Sequence, residues 1–181
     1  MKRALFIGAS ALLCGLVLQA ATLEQLSLED MVRKSSAIVR ARVAGSYAAL
    51  NRDVIYTHYE LQVLDRWKGP EAARLDVVLP GGVAGGRRQT FAGAPQLAPG
   101  QEYVLFLWTG PSGRTHVIGL SQGVFDVKRG DDGEIQAFRG ANADLMLDRA
   151  GRPVRDVAMT LRLGDFRQRV TRIMGRPGAA R

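Results

Sequence analysis

The residues most able to do chemistry in this 181-residue chain lie in three short runs. The first is Gly119-Leu120-Ser121-Gln122-Gly123, which matches the G-x-S-x-G pattern of a nucleophile elbow. That chemistry needs a strand, a sharp turn and a helix in succession, with the acid and histidine later in the chain. Here Val124 to Lys128 reads as another strand, and both histidines, His58 and His116, precede Ser121. The run is expected to be a glycine-flanked connection between strands.

The second run, Gly81-Gly82-Val83-Ala84-Gly85-Gly86-Arg87-Arg88, has the glycine content of a phosphate loop. Arg87 and Arg88 stand where such a loop needs Lys and then Ser or Thr to hold phosphate and magnesium. It is therefore read as a mobile glycine loop. Gly85, Gly86, Arg87 and Arg88 are its candidate binding residues, because contacts favour loops carried on a rigid scaffold.

The third run is acidic: Asp131, Asp132 and Glu134 lack the ligand spacing of a calcium loop, so a solvated turn is expected. Arg129-Gly130-Asp131 spells an adhesion tripeptide, read here as coincidence. Two histidines cannot build a three-histidine zinc site, and no His-Glu-x-x-His spacing occurs. Neither a metal nor a cofactor is expected.

The elements that must position these runs follow from periodicity. Ser27 before Leu28, Glu29 and Asp30 is a helix start, with a hydroxyl cap and acidic residues at the positive end. This helix should end near Ser36. Period-two alternation follows over Ala37 to Val43, and again over Ile55 to Val63 after a turn at Asn51-Arg52-Asp53. Further strands are read at Leu75 to Leu79, Tyr103 to Trp108, Thr115 to Leu120, Val124 to Lys128 and Glu134 to Phe138. Tyr103 to Trp108 is apolar throughout and should be central, buried on both faces. Several short strands at this spacing suggest a barrel or a sandwich. Leu163, Phe166, Val170 and Ile173 then fall on one helical face, with Arg167, Arg169 and Arg172 around it.

Composition narrows the class. Lys2 and Arg3, an apolar stretch from Ala4 to Leu18 and small residues at Ala20-Ala21 have the order of a secretory signal peptide over residues 1–21. The apolar run is short of the roughly 20 residues a spanning helix needs. An uncleaved anchor is the alternative; lipidation at Cys14 is disfavoured by Leu13, where a small residue belongs. The product is expected in the periplasm or outside the cell. Cys14 is the only cysteine, so the exported chain has no disulfide, thiol nucleophile or thiolate metal site.

The net charge of +8 is uneven. From Arg149 to Arg181, nine arginines stand against Asp156 and Asp165, whereas residues 22–148 are close to neutral. A basic C-terminal helix over 157–175 is expected to dock its apolar face and leave its arginines solvated, with attraction to anionic lipid or an acidic partner as the alternative. Residues 22–156 would form the β domain and 176–181 a disordered tail. Nucleic acid is not an expected partner of an exported chain.

Residues 28–107 carry a resemblance. The short helix, Ala37-Ile38-Val39-Arg40-Ala41-Arg42-Val43, then Thr57-His58-Tyr59-Glu60-Leu61-Gln62-Val63 closing on Lys68-Gly69, is similar to a family of bacterial exported proteins of unassigned activity. Pro80-Gly81-Gly82 and the 119–123 run fit the same family. More distantly, the order resembles the netrin-like domain of the tissue inhibitors of metalloproteinases. The resemblance implies a small OB-like Greek-key barrel, mainly β, with a short N-terminal helix and a C-terminal amphipathic helix. The inhibitors set an N-terminal cysteine on the target's zinc. This chain would begin near Thr22 with none, so that mechanism does not transfer. The leading expectation is a non-catalytic exported module that binds a protein or cell-envelope partner. The alternatives are inhibition of an exported peptidase by loop insertion and, third, a hydrolase using Ser121.

Overall fold

Two long strands organise the chain. A computed structural model describes residues 22–142 and 144–176, so the expected signal peptide and almost all of the expected tail lie outside the described residues. In chain order come β1 (Thr22–Glu24), α1 (Leu28–Lys34), β2 (Ala37–Asn51), β3 (Val54–Lys68), β4 (Arg74–Pro80), β5 (Gly82–Ala84), β6 (Arg87–Gln89), β7 (Glu102–Thr109) and β8 (Thr115–Val117). A 3₁₀ turn at Leu120–Gly123 leads to β9 (Val124–Arg129), β10 (Ile135–Arg139), β11 (Leu145–Leu147), β12 (Pro153–Val154), β13 (Met159–Arg162) and α2 (Leu163–Met174).

The strands β7-β2-β3-β4-β8 form a ring that closes where β8 pairs back onto β7. All neighbours in it are antiparallel except β4 and β8, which are parallel at Val77 and Thr115. The protein is thus mainly β, a five-stranded Greek-key ring with a short N-terminal helix and a C-terminal helix, as the sequence implies. Inward residues of the ring, among them Val43, Leu61, Val77, Leu105 and Val117, make one core. Outside the ring, β9, β10 and β13 extend the sheet from β7, and both helices pack on their common face. Phe106, Phe125, Ala137, Trp67, Phe166 and Met31 meet there in a second core.

The α1 helix begins as expected: Ser27 accepts from the Asp30 amide at 3.1 Å, and Asp30 accepts from the Ser27 amide at 3.2 Å. Lys68 closes the other end, its Nζ donating to the Val32 carbonyl at 2.6 Å.

Three expectations are corrected. The basic helix begins at Leu163, not at 157; Met159 to Arg162 is instead an edge strand on β10. Its Met159 and Leu161 alternate inward to the second core while Thr160 and Arg162 face out, a two-residue period that a helix cannot satisfy. The glycine loop at 81–88 is a paired hairpin, described below. Trp108, read as buried, is 46% exposed: it alternates to the ring's exterior opposite His116, one residue beyond the last that β2 pairs on β7. The α2 helix does dock: Phe166 and Val170 are fully buried, Arg169 and Arg172 face solvent, and Arg167 reaches Asp65 at 3.2 Å.

Glu102 fastens β2 to β7 on the ring's exterior. It takes Arg40 Nε at 2.9 Å and Arg42 Nη2 at 2.5 Å. Burial alone would raise its carboxyl, but the hydrogen bonds and charges of Arg40 and Arg42 outweigh that and hold it below the ordinary value of 4.5. The folded chain therefore resists a proton that the unfolded chain takes up. This contribution is complete above the ordinary glutamate value and is lost as pH falls through the lower folded value. Urea titrations of Glu102→Gln should show a shallower loss of stability below about pH 4.5 than the unsubstituted protein. Phe166 contacts Trp67 edge-on at 5.3 Å and Phe125 at 4.8 Å. Phe166→Ala should cost about 3–5 kcal/mol in the same titrations.

Candidate functional site

Ser121 sits in the 3₁₀ turn that carries the chain from β8 to β9, so no helix follows it. The two strands share one edge of β7: β9 pairs with Glu102 to Leu105 and β8 with Leu107 to Thr109. Changing partners on the same edge demands a tight crossing. Gly119 accordingly has φ 61°, and a Cβ on Gly123 would lie 2.5 Å from the Ile118 carbonyl oxygen. Gln122 is buried and uses its whole amide on the N-terminal segment. Its Oε1 accepts from the Leu26 amide at 2.8 Å, and its Nε2 donates to the Glu24 carbonyl at 2.9 Å.

The Ser121 hydroxyl accepts from Asn142 Nδ2 at 2.8 Å and borders a cleft of about 300 Å³ with Tyr103, Asp126, Arg139 and Gln96. None of the described cleft residues is a histidine. His58 Nδ1 is instead 2.8 Å from Asp76, and His116 Nδ1 is 3.1 Å from the Val78 carbonyl, both on the ring's exterior. Arg139 pairs with Asp156 at 2.8 Å, with side chains 9% and 2% exposed, and Asp156 also accepts from the Asn142 amide at 2.9 Å. That pair ties the 140–142 connection to the segment before β13.

The acidic run is a hairpin turn. Asp132 accepts from the Glu134 amide at 3.1 Å and stands 3.6 Å from Arg162, and Arg129 donates to the Gly133 carbonyl at 2.5 Å. Among the described residues no group of three His, Cys, Asp or Glu side chains is placed to hold a metal.

The glycine-arginine run forms β5 and β6, paired as Gly82 with Gln89, Val83 with Arg88 and Ala84 with Arg87. Gly85 and Gly86 have φ 55° and 71°, the two positive values of a type I′ turn, which explains the order missed from sequence. The hairpin's base is fastened to the tip of the β2–β3 pair. Gln89 Oε1 accepts from the Ile55 amide at 2.6 Å, Gln89 Nε2 donates to the Asp53 carbonyl at 2.7 Å, and Thr57 donates to the Gly81 carbonyl at 2.7 Å. A Cβ on Gly82 would lie 2.6 Å from Thr57 Oγ1, so the backbones touch here. Arg87 and Arg88 are both exposed, and neither forms an ion pair among the described residues. Val83 and Phe91 are also exposed. The four residues singled out in the sequence are therefore together, at one tip.

The sequence reading passed over a set of rings spaced around the ring's exterior. Tyr47 pairs with His58, His58 with Val78, and His116 with Trp108, while Val77 and Thr115 bring β4 and β8 side by side. Tyr47 faces outward because the β2 register skips a residue between Val43 and Gly45, reversing the faces beyond it. A two-residue period carried straight through from Val39 would have pointed Tyr47 inward.

No protein-family model matches the chain, and no curated protein matches it.

The 119–123 run is built as a crossing, so its amide should matter more to folding than its hydroxyl. Gln122→Ala strands two backbone groups and should cost about 2–4 kcal/mol, whereas Ser121→Ala should cost about 1 kcal/mol or less. Chemical denaturation of both variants measures the difference.

Proposed function

We propose that this chain is an exported, non-catalytic β-barrel module that binds a protein or cell-envelope partner through the β5–β6 tip. The observation that carries the reading is the tip itself: two unpaired guanidiniums and the exposed Val83 on a hairpin held at its base by Gln89 and Thr57, with the exposed Phe91 beside that base. Arginine and aromatic groups dominate the energetics of protein interfaces, and a pre-ordered tip loses little entropy on binding. The partner that fits has carboxylates facing Arg87 and Arg88 beside an apolar patch. Residues 1–21 support export, and the resemblance of residues 28–107 to bacterial exported proteins points the same way. The distance of both imidazoles from the Ser121 cleft weighs for binding over hydrolysis.

Affinity capture from the envelope and culture fluid of the source cells tests it, with the Arg87→Glu, Arg88→Glu double variant as control. The partner recovered by the unsubstituted protein should bind the variant at least about tenfold more weakly, at unchanged melting temperature. Equal affinity for both would overturn the assignment of the tip.

A further inference from the structure

The far half of β2 has one open edge. Strand β7 pairs with β2 only as far as Arg42, and the turn before β7 ends the contact. There the Val43 amide donates to the Gln101 carbonyl at 3.0 Å and the Gly100 amide to the Val43 carbonyl at 2.8 Å. From Ala44 to Asn51 no strand pairs along this edge among the described residues; β5 rests on the flat face instead, with Gly82 against Ala48. The ladder with β3 settles which backbone groups face outward. Ile55, opposite Leu50, gives its amide to Gln89 Oε1 at 2.6 Å and its carbonyl accepts from the Gly81 amide at 2.8 Å. The Leu50–Ile55 pair is thus a non-hydrogen-bonded one, and bonded and unbonded pairs alternate along an antiparallel ladder. Leu50, Ala48 and Ser46 therefore turn their amides and carbonyls to the open edge. None of those groups has a hydrogen-bond partner among the described residues.

Exposed edges are ordinarily guarded by charge, proline or a bulge, because an open row of amides and carbonyls templates a further strand. Ala44-Gly45-Ser46-Tyr47-Ala48-Ala49-Leu50-Asn51 has neither charge nor proline. Its bulge, between Val43 and Gly45, stands at the near end and leaves the alternation beyond it regular. The stretch fits a copy of itself. Ala48 is the middle one of the outward-facing residues, so an antiparallel pairing of two copies about Ala48 sets Ser46 opposite Leu50 and Tyr47 opposite Ala49. Every outward amide and carbonyl of Ser46, Ala48 and Leu50 then finds a partner. Each face also puts a large side chain against a small one, with Leu50 and Tyr47, both exposed in the single chain, as the large members. A foreign strand needs only the open backbone groups; the match of centre and side-chain size is what self-pairing requires.

We infer that a second copy of this chain pairs antiparallel along the Ser46–Leu50 edge of β2, about a two-fold axis at Ala48, so that one sheet runs through both copies. Sedimentation velocity of the chain from Thr22 to Arg181 should show a dimer that dissociates on dilution. Ser46→Pro removes an outward amide that its own chain does not use. It should keep the native circular dichroism and weaken dimerisation about tenfold or more. The register has a separate test, since residues 22–181 contain no cysteine. Residues directly opposed in a non-hydrogen-bonded pair bring their Cβ atoms within disulfide reach, whereas diagonal neighbours do not. A mixture of Tyr47→Cys and Ala49→Cys proteins should therefore cross-link under oxidation about tenfold faster than either protein alone. A dimer unaffected by Ser46→Pro, or equal cross-linking in the mixture and in the separate variants, would overturn the assignment. So would a monomer at every concentration, and an envelope protein captured by that monomer but not by Ser46→Pro would give the edge to a foreign strand.

Discussion

The strand β7 has to satisfy three neighbours with two edges. One edge takes β2 along most of its length; the other is divided between β9 and β8. Because Tyr103 to Leu107 are buried on both faces, neither edge can be surrendered to water without stranding backbone groups. The closed ring, the extension through β9, β10 and β13, and the two separate cores all follow from this arrangement. So does the crossing at Gly119–Gly123. Its G-x-S-x-G spacing arises from the needs of a backbone that leaves one strand register and enters the next within a single turn.

Charge is used in two ways. Where guanidinium and carboxylate meet, they join pieces of chain that hydrophobic contact alone leaves unregistered. Glu102 holds Arg40 and Arg42 across β2 and β7, Asp156 holds Arg139 beside the 140–142 connection, and Asp30 of α1 holds Arg149. The buried Arg139–Asp156 pair makes a specific junction, since either group alone would be an uncompensated charge inside the protein. Arg87 and Arg88 are different. They stand at a turn with no carboxylate partner among the described residues, and their free charge is available to another molecule. The arginines of α2 fall between these cases: the helix is held by Phe166 and Val170, with only Arg167 engaged, at Asp65.

Much of this architecture was legible in residue order. The Ser27 cap and the period-two runs located α1 and most of the ring strands, since caps and alternation are local consequences of backbone geometry. The helical face of Leu163, Phe166, Val170 and Ile173 was equally plain, as was the grouping of Gly85, Gly86, Arg87 and Arg88. The short strands β1, β11 and β12 were not, because three or fewer residues show no period. The start of α2 was misplaced because Met159 and Leu161 suit either a strand or the approach to a helix until β10 is beside them. The order of the β5–β6 hairpin was hidden for another reason: its two strands are fastened by Gln89 and Thr57 to groups some 24 to 36 residues distant in sequence.

The sequence by itself determined the absence of cysteine from residues 22–181, the mainly β character and the positions of most elements, all of which depend on composition or on neighbours within a few residues. Only the tertiary structure decided which chemistry-bearing side chains meet. It placed both histidines on the exterior, away from Ser121, and a single register skip at Gly45 turned Tyr47 onto the same face as His58. Ring closure through β8 then set His116 opposite Trp108. A face, unlike a strand, is defined by the registers of several strands at once, and those registers are set by long-range pairing that no local pattern records.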